Sequence, residues 1–238
     1  MDGRIFITGD KHGAMAPFFG LAEKQELLPS DIMLITGDAG YVFYDDYRLK
    51  LDTLEQLFPG QIAFIDGNHE NFHILNNMEE STWCGGRVHQ VSQRIIHLMR
   101  GEIYDIYGNT VFTFGGARTT DHFDREKGEG WWPDEEEPTE DEMKRAEDVL
   151  FSRKDDIDYV ISHEAPMYVR NFTTRKKHVP DDYRLPGLLD RWYREMKGAE
   201  GFKRWYFGHM HVDMKIEEDL MGLHNEILIL GTDERIRW

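Results

Sequence analysis

The sequence predicts a mixed α/β fold with more strands than a single sheet holds. Three observations lead there. Short apolar runs alternate with helical apolar spacing early in the chain, each such run ends at a glycine followed by a polar residue, and the second half is richer in short strands than in helices. Residues 4–8 form the first apolar run and end in Gly9-Asp10, and residues 15–28 carry helical spacing. Residues 31–36 read as a buried strand ending in Gly37-Asp38, residues 47–58 as a helix, and residues 61–65 as a third strand ending in Gly67-Asn68-His69. In α/β sheets the loops beyond the strand C-termini converge on a crevice, and a glycine there lets the chain turn sharply while the next side chain points inward. Three βα-like units are therefore predicted to deliver polar side chains to one place.

The second half changes character. Residues 94–99, 102–106 and 110–114 read as short strands joined by Arg100-Gly101 and Gly108-Asn109 turns, which predicts a meander or an antiparallel portion. Residues 139–151 read as a helix opened by a capping box of Thr139 with Glu142, after Pro138. A strand at 157–162, a helix at 186–196 and strands at 204–207, 212–217 and 226–230 complete the pattern.

A chain of 238 residues buries a sizeable core, and no composition shift, linker or repeat divides it, so a single domain over 1–238 is expected. No stretch approaches the roughly 18 to 20 apolar residues that span a bilayer, and Met-Asp-Gly-Arg runs straight into a strand rather than a signal segment. The single cysteine, Cys84, excludes an internal disulfide and reads as a small buried hydrophobe. Both facts fit a reducing, cytoplasmic protein with no membrane partner. A net charge of -17 disfavours extended nucleic acid and anionic membranes. A small phosphorylated substrate stays open, because metal charge can dominate inside a site.

Asp10 and His12 alternate by two along what reads as an extended segment, so both can face one ion, and His209 and His211 repeat the spacing. Asp38, Asn68 and His163 add one oxygen or nitrogen each from separate strand ends. A carboxylate can bridge two cations, which fits Asp38 in the middle of the set. Mixed carboxylate and imidazole donors suit Fe, Mn, Zn or related ions, and the lack of a cysteine set argues against a structural zinc. By composition Gly-Asp-x-His, Gly-His-x-His and Gly-Asn-His-Glu would all three arise by chance only about once in 10^5 such chains.

The ordered series Asp10-x-His12, Gly37-Asp38, Gly67-Asn68-His69-Glu70, Ser162-His163 and Gly208-His209-Met210-His211 resembles the calcineurin-like metallophosphoesterases. The resemblance implies a four-layer α/β/β/α sandwich with two mixed sheets and a dinuclear centre of divalent or trivalent transition metals between the sheet edges. It implies that Asp10, His12 and His211 bind one metal, that Asn68, His163 and His209 bind the other, and that Asp38 bridges them. Two metals about 3.5 to 4 Å apart lower the pKa of a shared water, supply hydroxide near neutral pH and neutralise phosphoryl oxygens, so no side-chain nucleophile is needed. His69 follows the ligand Asn68 directly and is placed to protonate the leaving oxygen; its alternative is a hydrogen-bonded structural histidine. Hydrolysis of phosphate esters is the expected activity. A nuclease on the same fold and a non-catalytic scaffold that retains the fold are the alternatives, and the completeness of the ligand series argues against the scaffold.

Two departures limit the resemblance. Many members carry an acidic residue three positions after the bridging Asp, oriented toward the histidine; here that position is Tyr41, leaving Tyr41, Asp45, Asp46 or Asp66 to orient His69. The Ser/Thr phosphoprotein phosphatases have Arg before Gly-Asn-His-Glu and Asp-Arg-Gly after the bridging Asp, where this chain has Asp66 and Tyr41-Val42-Phe43, so it departs from that branch.

Residues 113–117 end a strand and lead into about twenty residues without periodicity, a length that is usually functional or disordered. Gly115-Gly116-Ala117 followed by Asp121, Arg125 and Trp131-Trp132-Pro133 is similar to a subgroup of bacterial and phage members. Arg118 and Arg125 are candidates to grip the phosphate, and the competing reading pairs them with Asp121 and Asp124 to brace the loop. Trp131 and Trp132 read as packing anchors. The acidic run 134–137 with 140–142 suits a solvated helix N-terminus. Arg170, Arg175, Lys176, Lys177 and His178 form the densest basic stretch, either an exposed loop or a guide for an anionic substrate. His73, His89, His97, His122, His178 and His224 match no ligand spacing and read as structural or surface residues.

Overall fold

Alternation within the strands builds the layers. A computed structural model describes residues 3–44, 47–119, 126–128, 130–173 and 180–238. The elements in chain order are β1 (Ile5–Thr8), α1 (Ala16–Lys24), β2 (Ile32–Ile35), α2 (Tyr47–Leu57), β3 (Gln61–Ile65), α3 (Phe72–Leu75), β4 (Glu80–Trp83), β5 (Gly86–Gln90), β6 (Ile95–Leu98), β7 (Glu102–Ile106) and β8 (Asn109–Phe114). They continue with α4 (Glu140–Ser152), β9 (Tyr159–Ser162), α5 (Leu185–Met196), β10 (Arg204–Phe207), β11 (Met214–Glu217), β12 (Leu220–Gly222), β13 (Ile227–Ile229) and β14 (Arg235–Ile236).

Among the described residues the strands form an eight-stranded sheet, β14-β13-β1-β2-β3-β6-β5-β4, and a six-stranded sheet, β11-β12-β10-β9-β8-β7. Both are mixed: β1, β2, β3 and β6 run parallel, as do β8, β9, β10 and β12, and the edges are antiparallel. Successive side chains of a strand point to opposite faces. Ile5, Ile7, Ile32, Leu34, Ala63 and Ile65 therefore meet Val111, Tyr159, Ile161 and Tyr206 between the sheets. Phe6, Met33, Ile35, Ile62 and Phe64 pack outward with Phe18, Leu21, Leu51 and Leu54 of α1 and α2. Phe112, Val160, Trp205 and Phe207 pack the other way against Ala146 and Leu150 of α4 and Leu189, Trp192 and Tyr193 of α5. Three cores separate helix, sheet, sheet and helix, the four-layer arrangement expected.

The capping box holds: Thr139 Oγ1 accepts from the Glu142 N–H, and the Glu142 carboxylate accepts from the Thr139 N–H at 2.8 Å. Two expectations need correction. Of the two arrangements expected for residues 94–114, the antiparallel portion forms, β7 pairing with β8 across the Gly108-Asn109 turn, but a three-stranded meander does not, because β6 lies beside β3 in the larger sheet and the Arg100-Gly101 turn carries the chain between sheets. Cys84 is half-buried in the two-residue turn between β4 and β5, with Cys84 and Gly85 both at positive φ, the geometry such hairpins require. No helix among the described residues is long and apolar enough to cross a membrane.

Candidate metal centre

The C-terminal ends of β1, β2 and β3 in one sheet meet those of β9 and β10 in the other, and backbone hydrogen bonds lock the loops together. The His12 N–H donates to the Asp38 carbonyl at 2.7 Å and the Gly208 N–H to the His163 carbonyl at 3.1 Å. The His209 N–H donates to Asp10 Oδ1 at 2.9 Å, and the His69 N–H to Asp38 Oδ1 at 2.8 Å.

The segments at Asp10-x-His12 and His209-x-His211, expected to be extended, are turns instead. Asp10, His12, Asp38, His209 and His211 all adopt positive φ, between 38° and 57°. Such a backbone costs a non-glycine residue about 1 to 3 kcal/mol and persists where the surroundings enforce it. The turns aim paired side chains inward where a strand would need length. Gly37 and Gly67 permit the close approach: a β-carbon at position 37 would stand 2.2 Å from His163 Nδ1, and one at 67 only 2.1 Å from Asp38 Oδ1.

One ligand atom each of Asp10, His12, Asp38 and His211 lies within 4.8 Å of the others. Nε2 of His12 and Nε2 of His211 face each other at 3.2 Å. His12 Nε2 is 3.7 Å from Asp38 Oδ2, and His211 Nε2 is 3.8 Å from Asp10 Oδ1. On the other side of Asp38, His163 Nε2 is 3.5 Å from Asp38 Oδ1 and 3.2 Å from Asn68 Oδ1. His163 Nδ1 donates to the Thr36 carbonyl at 2.8 Å, which turns Nε2 toward Asp38 and Asn68. The Asn68 amide nitrogen donates to Thr119 Oγ1 at 3.0 Å, which turns its oxygen inward. Acceptors thus converge from three directions, the arrangement a cation resolves. Oδ2 of Asp10 and Oδ2 of Asp38 are buried with no hydrogen-bond partner among the described residues, which fits a metal ligand role.

Electrostatics agree with a site short of positive charge. Burial pushes the Asp10 carboxyl up to about 7, with Asp38 adding to the rise against the pull of His163. Burial also works against the Asp38 carboxylate, but His163, His69 and His12 hold it well below the usual range. His163 is driven up to about 10, because Asp38 and Asp10 outweigh its burial. Burial lowers His209 to about 4.

His209 sits across from His163, with ring centroids 5.2 Å apart, and its Nε2 is 3.6 Å from Glu164 Oε2. The His69 ring is half-buried, 5.4 Å from the His12 ring. Of the site residues expected from sequence, those described gather in one place apart from Arg118. Arg118 is engaged elsewhere, bonded to Glu137 and Asp182 and stacked 4.7 Å above the Tyr183 ring. Arg125, with Asp121, His122 and Asp124, lies outside the described residues, as do Asp45, Asp46 and 175–178. The Tyr41 hydroxyl donates to the Ala14 carbonyl, and Asp66 is taken up by His97 and Arg100. Arg170 bonds Glu164 at 3.0 Å. Trp132 is buried against Phe43, as an anchor should be.

Sequence reasoning missed four contributors. Glu70 accepts from the N–H groups of Ala39 and Gly40 and so shapes the Asp38 turn, with burial and the nearby Asp38 charge raising its carboxyl well above the usual range. Burial opposes the Glu164 charge, but His209, Arg170 and the Tyr183 hydroxyl at 2.7 Å hold its carboxyl low. Lys11 is buried and donates to the His224 carbonyl at 2.6 Å. His224, read as structural or surface, stacks on His211 with centroids 4.5 Å apart, because Asp213 binds the N–H groups of 224 to 226. Adjacency to a candidate site residue signals Glu70, Glu164 and Lys11, beside His69, His163 and Asp10; nothing in the local sequence signals His224.

The calcineurin-like phosphoesterase family model matches residues 3–213. No curated protein matches the chain. The match takes in β1 to β10 and each strand end that supplies the cluster, well over half of the chain, and on that ground the chain belongs to the calcineurin-like phosphoesterase family.

Proposed function

We propose that this chain is a dinuclear metal-dependent phosphoesterase that hydrolyses a small phosphorylated substrate. The observation that carries this reading is the convergence of acceptor atoms on both sides of Asp38, whose Oδ2 is buried and has no hydrogen-bond partner among the described residues. Asp10, His12 and His211 would hold one ion, Asn68, His163 and His209 a second, and Asp38 would bridge them. Mn, Fe or Zn suits these donors. Bound there, two such ions activate water and neutralise the phosphoryl oxygens. The protein's own contributions are positional. Thr119 orients Asn68, Thr36 fixes the His163 tautomer, and Glu164 stands behind His209, leaving the second ring nitrogen as its ligand atom. The lone Cys84 accords with a reducing, cytoplasmic setting.

His69 is the proton donor to the leaving oxygen in this reading, supported by its place beside Asn68 and His12. The test uses metal-loaded protein on p-nitrophenyl phosphate, bis(p-nitrophenyl) phosphate and alkyl phosphates. His69→Asn should keep its metal, hydrolyse the activated esters and lose about 10^2- to 10^4-fold on alkyl esters. Loss of metal occupancy in that variant would remove His69 from the acid role.

Glu164→Gln keeps the side-chain shape and removes the charge facing His209. Chelator competition should show metal held about 10- to 100-fold more weakly than in the wild type.

A further inference from the structure

Beside the cluster, the turn after β2 and the first part of α2 border an open cavity of about 270 Å³ lined by His12, Gly40, Phe43, Tyr44, Lys50, His69 and Gly130. Imidazoles line it together with two aromatic rings and an ammonium group. Phe43 is held in place: its ring meets Trp132 edge-on at 5.7 Å, and its carbonyl accepts from the Asn71 amide at 3.0 Å. Gly130 passes close by, where a β-carbon would lie 3.9 Å from Phe43 Cζ. Tyr44 packs against Phe43 at 5.0 Å yet is 63 % exposed. The Lys50 ammonium stands 5.3 Å over the Tyr44 ring and makes no ion pair among the described residues. A solitary exposed aromatic needs no explanation. Two adjoining rings beside a cation, in a cavity that also contains His69, do.

We propose that this cavity is the leaving-group subsite and that it selects phosphate esters whose alcohol carries a planar aromatic ring, as nucleoside and aryl phosphates do. The inference rests on the phosphoesterase reading above and names the substrate class for that site. Hydrolysis breaks the bond between phosphorus and the alcohol oxygen and forms one between phosphorus and the oxygen of water. His69 gives a proton to the alcohol oxygen and regains one from the water, whose other proton goes to solvent or stays on the phosphate. The alcohol must therefore extend past His69, and the cavity is the space His69 lines. Its volume falls just under the roughly 300 Å³ at which small-ligand pockets begin, which suits one ring system rather than a polymer. Phe43 and Tyr44 offer the ring faces on which it stacks, and Lys50 meets negative charge on the same group.

The test compares adenosine 5′-phosphate with ribose 5-phosphate, which share a primary alcohol leaving group, and phosphotyrosine with phosphoserine. Wild type, Tyr44→Ala, Phe43→Leu and Lys50→Met are assayed metal-loaded. The wild type should favour the ring-bearing member of at least one pair, and which pair tells a nucleoside from an aryl source. Tyr44→Ala should cut the ratio of kcat/KM within that pair by about 5- to 150-fold, the range of one lost stacking contact. No preference in either pair, or a variant that lowers both members equally, overturns the subsite. If no ester is hydrolysed, p-nitrophenyl phosphate included, the phosphoesterase reading fails. Calorimetric binding of adenosine 5′-phosphate and phosphotyrosine then decides the subsite separately: binding weakened by Tyr44→Ala sustains it, and absent or unaltered binding rejects it.

Discussion

Asp38→Asn is expected to empty the centre of metal and to lower turnover by about 10^3-fold, since metal activation contributes several kcal/mol and each 1.4 kcal/mol is tenfold. The side chain stands between the two halves of the cluster, 3.7 Å from His12 on one side and 3.5 Å from His163 on the other. Its Oδ2 has no hydrogen-bond partner among the described residues, and three imidazoles hold its carboxyl well below the usual range. Asn preserves the volume, and its oxygen can still accept the His69 N–H, so the turn survives and the loss falls on the metals. Elemental analysis beside kcat on p-nitrophenyl phosphate reads both effects. A variant that kept two ions and wild-type turnover would remove Asp38 from the bridging position.

Asp66→Ala should destabilise the fold by about 3 to 5 kcal/mol, the cost of stripping one partner from a buried ion pair. Asp66 is buried, takes two hydrogen bonds from Arg100 at 2.9 and 2.6 Å and meets His97 Nε2 at 3.2 Å. Its carbonyl also accepts the Gly116 N–H, tying the end of β3 to the end of β8. Burial opposes the charge, but Arg100 and His97 overcome it and depress the carboxyl. A depressed carboxyl stabilises the fold fully above its unfolded pKa, about 3.9, and that contribution fades as pH falls toward the folded value. Urea denaturation should show the full gap between wild type and variant at neutral pH and a shrinking gap below about pH 4. A gap independent of pH would show that the carboxylate charge is not what Arg100 requires.

Where side chains follow a local rule, the sequence is readable. The apolar runs of β1, β2 and β3 and the glycines beyond them mark three strand ends, and Thr139 with Glu142 marks a helix start. Where a tertiary contact decides, it is not. β4 is Glu80-Ser81-Thr82-Trp83, largely exposed at a sheet edge, so no apolar alternation announces it. Arg100 is drawn to Asp66 and to the carbonyls of Glu135 and Glu136, which accompanies the chain's change of sheet just where turn residues read as a hairpin. The candidate ligand series is legible because each member sits in a short motif. The left-handed backbone that aims them is not, since Asp and His carry no signal for it as strong as glycine's. His224 comes to His211 through Asp213 and Lys11, contacts that only the folded chain creates.

Stepwise addition of Mn²⁺ to metal-free protein, with bound metal and hydrolysis of p-nitrophenyl phosphate followed on the same samples, tests the dinuclear reading most directly. Two ions should bind per chain, and turnover should rise with the second. Saturation at one ion with full activity, or no binding at all, would contradict it.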